Sequence, residues 1–128
     1  MSLSSPLRQV LGAGPARAGV QHWWRQRLSS LALVPLSVWL VVSLLTLPAA
    51  NHAAVVAWLR QSWTALLMIL LVLSAAWHSQ LGLQVIIEDY VHAPGGKWLL
   101  LIATRFANVL LAAAGVFAVL KVAFGVAT

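Results

Sequence analysis

Three long apolar runs, separated by short polar stretches, organise the chain. Leu28 to Leu47 holds 20 residues without a charge and is closed by Pro48. At about 1.5 Å of rise per residue, a helix of that length crosses the roughly 30 Å hydrocarbon core of a bilayer. Ser62 to Ile87 is a second uncharged stretch, long enough to cross with tilt. Phe106 to Thr128 is a third, interrupted only by Lys121, whose long stem can carry its ammonium to one interface while Arg105 reaches the other. The pattern predicts spans over about 28–47, 62–87 and 106–128. Trp98 to Thr104 is also apolar and reads either as an interfacial lead-in or as the first turns of a longer third helix. The first run is too long for the apolar core of a cleaved signal peptide, usually about 7–15 residues, so a retained helix is expected. Met1 to Val20, with its Gly, Pro and Ser, predicts a loose arm ahead of a membrane domain over residues 21–128.

Composition agrees with a protein whose solvent is lipid. Of 128 residues, 62% are hydrophobic and 8% charged, and the mean hydropathy is +0.92, so the expected fold class is an all-α integral membrane protein with three transmembrane helices. Eight Lys and Arg against two acids give a formal charge of +6, but these residues bracket the apolar runs instead of forming a stripe, which argues against a nucleic-acid partner. Arg8, Arg17, Arg25, Arg27, Lys97 and Arg105 fall at one end of the predicted bundle, Arg60 and Lys121 at the other. That asymmetry puts the N-terminal arm in the cytoplasm and the C-terminus outside. Trp23, Trp24, Trp58, Trp63 and Trp98 mark the span edges. There is no cysteine, hence no disulfide, thiol nucleophile or iron–sulfur ligation by this chain. No phosphate-binding Gly loop, HExxH or Ser/His/Asp arrangement occurs.

One ionisable residue falls deep inside a span. His78 lies ten residues before Glu88, about 15 Å along a helix and near the bilayer midplane. An imidazole there needs a partner: either it bonds a carbonyl of a neighbouring helix, or it belongs to a functional site. At 100° per residue, Gly82 and Asp89 lie on its face, joining midplane to surface. A glycine one turn from the histidine either permits close helix packing or leaves room for a flat macrocycle. If His78 holds a haem iron, no second ligand in this chain reaches the same depth. His22 and His92 belong to one surface and His52 to the other, and Met68 sits on the same helix. The opposite axial position then falls to a partner subunit. Arg27, immediately before the first span, could meet an anionic propionate, Arg25 less well, or Arg27 is an ordinary interfacial anchor.

The chain's only acids, Glu88 and Asp89, stand beside Tyr90 in LQVIIEDYVH, where the second span leaves the bilayer. At that level a tyrosine can donate a hydrogen bond to a quinone carbonyl and an aspartate can relay protons, although both residues are also common at membrane boundaries. Taken together, HWWRQRLSSLALVPL and the later HSQLGLQVIIEDY, with His78, Gly82, Asp89 and Tyr90 spaced as H-x3-G-x6-D-Y, resemble the hydrophobic D-type membrane anchor of succinate dehydrogenase. The resemblance covers roughly residues 20 to 125. It implies half of a two-subunit, haem-binding helical bundle, with His78 as an axial ligand of haem b iron, Gly82 packing beside the haem and Arg27 on a propionate. It further implies that Tyr90 and Asp89 contribute to quinone binding. The implied partners are a C-type cytochrome b anchor subunit, an iron–sulfur subunit and a flavoprotein subunit, with no succinate active site on this chain. The implied location is the bacterial inner membrane, ahead of the mitochondrial inner membrane. A fumarate reductase anchor and a haem-free assembly or transport protein are the alternatives. No role passes to Glu88, His92 or Lys97.

Overall fold

The computed structural model describes residues 16–125. Helix α1 runs Ala16–Leu45, α2 His52–Leu59, α3 Ser62–Tyr90 and α4 Pro94–Ala123. Three of these are long and apolar enough to cross a membrane: Gly19–Leu45, Ser62–Tyr90 and Pro94–Ala123. The third helix therefore begins well before Phe106, and the apolar Trp98 to Thr104 segment forms its early turns. Pro94 starts it, at a position where the missing N–H costs no intrahelical bond. The first helix begins inside the stretch expected to be a loose arm. The rest of that arm, Met1 to Pro15, lies outside the described residues, as do the last three residues of the predicted third span.

Helix α2 is an element that the apolar periodicity does not announce. Its signal is local: the Asn51 side chain accepts a hydrogen bond from the Ala54 N–H at 2.9 Å, capping the first turn. Trp58 of α2 stacks on Trp39 of α1, with ring centroids 5.7 Å apart. Arg60, which follows α2, sets its guanidinium against Gly125, where the chain leaves α4 with φ +66°. A cation there is favourably placed against the carbonyl end of α4.

Helix α3 is the centre of the arrangement. It packs against both α1 and α4, which do not pack against each other. The α3–α4 seam is close: a Cβ on Gly115 would stand 2.9 Å from Val72 Cγ1. Asn108 stitches the same seam, donating to the Ala76 carbonyl at 2.6 Å and to Gln80 Oε1 at 3.3 Å, and accepting from Ser79 Oγ at 3.3 Å. Between apolar helices that face lipid, small residues and interhelical hydrogen bonds supply the specificity that burial from water supplies elsewhere. The buried hydrophobic side chains are accordingly few, Ala65, Leu81, Ile87 and Val119, while leucines, valines and phenylalanines point outward along every span.

Candidate functional site

His78 sits near the middle of α3 and turns toward α1, where its Nδ1 lies 3.0 Å from Ser29 Oγ. Ser29 is only 7% exposed, and its hydroxyl donates to the Gln26 carbonyl at 2.8 Å. Ser30 does likewise at 2.9 Å and stands 3.5 Å from the same imidazole nitrogen. With both hydroxyl protons directed to that one backbone carbonyl, Nδ1 is the atom that carries the hydrogen between His78 and Ser29. That tautomer leaves a lone pair on Nε2, which makes no hydrogen bond among the described residues. The partner is a serine hydroxyl where a helix carbonyl was one expectation. A histidine held at one nitrogen with the other bare is the usual arrangement of a metal-ligating imidazole.

Gly82 follows one turn later beside Gln26. A Cβ built there would meet only Gln26 Nε2, at 4.0 Å, an ordinary contact. Close packing within this chain therefore does not require the glycine, in contrast to Gly115. Since Gly in a helix interior costs about 1 kcal/mol relative to Ala, the room at Gly82 points to something outside the chain.

Arg27 is exposed, its guanidinium 4.7 Å from the centroid of the Trp23 ring, a cation–π contact. On α1, Gln26 and Ser29 face α3, so Arg25 and Arg27 leave the seam on opposite sides, each one residue, or 100°, from Gln26. Arg25 shares its side with Trp77, Gln80 and Gln84 of α3. On α3 the residues 78, 82 and 89 point about 150° away from 77, 80 and 84; Arg27 falls on the side of Gly82, while His78 points into the seam at Ser29. Asp89 and Tyr90 close α3, both exposed, Tyr90 at 79%. Glu88 is held apart from them, its carboxylate bonded by Gln84 Nε2 at 2.9 Å and its carbonyl approached by Lys97 Nζ at 3.4 Å.

The structure thus brings His78 and Gly82 together with Ser29 and Gln26 at mid-helix, while Asp89 stands three turns away on the same face and Tyr90 follows it, turned about 120° from His78. Ser29 and Gln26 were not anticipated. The serines stand out as a pair of hydroxyls in an otherwise apolar run, but the predicted first span begins at Leu28 and puts them at its edge, whereas the structure sets them level with His78. Among the described residues, no three His, Cys, Asp or Glu side chains converge to form a metal site. A metal at His78 would have to arrive with ligands of its own, as a porphyrin iron does. The open flank at Gly82 and the bare Nε2 fit such a group.

The chain matches the model of the succinate dehydrogenase/fumarate reductase transmembrane subunit over residues 1–119. It is 29% identical to a succinate dehydrogenase hydrophobic membrane anchor subunit of Rickettsia bellii over 106 residues, covering 83% of this chain and 85% of that protein. The anchor subunit of Rickettsia conorii is 31% identical over 80 residues, 62% of this chain and 64% of its own. That of Paracoccus denitrificans is 25% identical over 125 residues, 98% and 96% of the two chains. This chain belongs to the succinate dehydrogenase/fumarate reductase transmembrane subunit family.

Proposed function

We propose that this chain, a membrane anchor subunit of the succinate dehydrogenase type, supplies one axial ligand of a shared b-type haem and part of a quinone-reduction site. The observation that carries the haem reading is the hydrogen-bonded series from His78 Nδ1 through Ser29 Oγ to the Gln26 carbonyl. It orients the ring and leaves Nε2 as the ligating atom. Gly82 leaves the flank of α3 open beside it, and Arg27, on the same side, is available to an anionic propionate. The second axial ligand would come from a C-type anchor subunit facing His78. A bound haem supplies a one-electron relay within the bilayer.

For the quinone, Tyr90 donates its phenolic hydrogen to a carbonyl oxygen, and Asp89 passes protons from water toward the reduced headgroup. Both residues are exposed at the end of α3, where a partner surface can complete the pocket. The excess of basic residues at that end argues for a cytoplasmic position, in a bacterial inner membrane. The flavoprotein and iron–sulfur subunits that oxidise succinate would dock there. Resemblance to succinate dehydrogenase anchors favours quinone reduction as the working direction.

The test is an absorption spectrum of the purified, dithionite-reduced complex. Wild type should show b-type bands, and His78→Ala should lose them while the four subunits still copurify. Undiminished haem content in that variant would remove His78 as a ligand.

A further inference from the structure

We propose that the groove between α1 and α4 binds the headgroup of an anionic phospholipid between Arg25 and Arg105. A groove of about 440 Å³ lies between α1 and α4 across α3, lined by His22, Arg25, Trp77, Gln80, Arg105 and Asn108. It continues toward the end of α3 as a cleft of about 400 Å³ in which Arg25 and Arg105 recur with Gln84, Glu88 and Trp98. A third, nearly apolar slot of about 260 Å³ starts from Arg25 and runs past Leu28, Ser29, Ala32, Ser74 and Trp77, toward the middle of the bundle, where Ser29 and Ser74 bring it up to the seam that holds His78.

Two guanidiniums thus stand on opposite walls of one groove. The chain has few means of neutralising them. Its two acids are Glu88 and Asp89; Asp89 lies away from the cleft, and Glu88, which lines it and is bonded by Gln84, sets one negative charge against two guanidiniums, leaving a net positive cleft. His22 adds a buried Nε2 that has no hydrogen-bond partner among the described residues. Arginine forks and an unpaired imidazole nitrogen suit phosphate oxygens. The apolar slot leaves the cations in the direction an acyl chain takes from the headgroup level into the membrane. Together these features fit an amphiphile with an anionic head, whereas free phosphate would leave the slot unexplained. The choice of lipid over a protein neighbour rests on the reading above: if the partner anchor completes the haem on the side of His78, the groove side is left to the bilayer.

Native mass spectrometry of the whole detergent-purified complex tests this, with dioleoyl-phosphatidylglycerol, dioleoyl-phosphatidylcholine or inorganic phosphate added in parallel. At roughly fivefold per basic residue near a membrane surface, wild type should retain the anionic lipid about 30-fold better than the zwitterionic one. R25Q/R105Q should abolish that preference, and R25K/R105K should keep part of it. Equal retention of the two lipids by wild type, an undiminished preference in R25Q/R105Q, or occupancy by phosphate that excludes the lipid would each overturn the proposal. Should the double glutamine variant not assemble, wild-type headgroup preference and R105Q alone decide the matter. Lipid preference retained by His78→Ala, whatever its haem bands do, supports the groove independently of the haem reading; its loss there would place the lipid on the wrong face.

Discussion

Replacing Ser29 by alanine removes an oxygen and nothing else from the contact that orients His78. Two hydrogen bonds go with it, the one accepted from Nδ1 at 3.0 Å and the one donated to the Gln26 carbonyl at 2.8 Å. Ser29 is buried, so water does not readily take its place. Ser30 does have an oxygen nearby, 3.5 Å from Nδ1, and partial compensation by rotation of its side chain is expected. The single variant should therefore be milder than Ser29→Ala/Ser30→Ala. A net hydrogen bond is worth about 0.5–1.5 kcal/mol. If that energy is spent on the oxidised iron, whose ligand is made more basic by the Nδ1–H bond, its loss favours the reduced iron. At 59 mV per tenfold change for one electron, the upper bound is a midpoint potential raised by about 20–65 mV. Haem affinity should fall in parallel, by about 10- to 100-fold for loss of an outer partner of a ligating histidine.

Potentiometric titration of the b-type bands in the purified complex reads the first quantity, and haem-to-protein ratio the second. A downward shift would contradict the sign, since it would mean that Nδ1 had been accepting a proton from Ser29. An unchanged potential and full haem occupancy in the double variant would show that the serines do not hold the ring.

Four other outcomes follow from the packing and the exposed end of α3. Gly115→Ala places a Cβ 2.9 Å from Val72 Cγ1 and should destabilise the α3–α4 pair by about 1–3 kcal/mol, as overpacking does, with rescue by Val72→Ala in denaturant titrations. Gly82→Ala meets nothing closer than 4.0 Å and should leave that stability unchanged while lowering haem content; full haem retention would count against a macrocycle on that flank. Asn108→Ala forfeits the 2.6 Å bond to the Ala76 carbonyl and should cost about 0.6 kcal/mol, at most about 1.7, in the same titration. Tyr90→Phe should slow quinone reduction several-fold to tenfold, from loss of a bond worth about 0.5–1.5 kcal/mol, with succinate-to-dye activity intact; equal quinone rates would take Tyr90 out of the site.

What the sequence made legible, and what it hid, divides along a physical line. Span number was legible because bilayer thickness demands long uncharged runs, and nothing in a soluble core imitates them. Span ends were not: hydropathy marks where charges stop, whereas backbone hydrogen bonding carries α1 back to Ala16 and α4 back to Pro94, through Arg25, Arg27, Lys97 and Arg105. Helix α2 was hidden because its cap at Asn51 is a single-residue signal. His78 stood out in the sequence as the one ionisable residue deep in a predicted span. The residues that hold it were not, since no periodicity tells which way a serine in α1 faces until α1 and α3 are docked.

The same division explains why the two arginines of RQR are not equivalent. As text they are interchangeable anchors at the start of a span. Once Gln26 between them is turned to α3, helical geometry sends one to each side of the seam. Arg27 then lies over Trp23 on the side of Gly82, while Arg25 faces Arg105 across the groove. A lysine would satisfy the charge asymmetry at either position, so the orientation rule alone gives no reason for arginine. Bidentate recognition of an anion does give one, a carboxylate on the one side and a phosphate on the other. Arg27→Lys and Arg25→Lys should therefore leave the topology unchanged and differ in their consequences, the first read in haem content and the second in lipid preference. If both substitutions altered the same readout, the two faces would not be separate, and the assignment of one to haem and the other to lipid would have to be withdrawn.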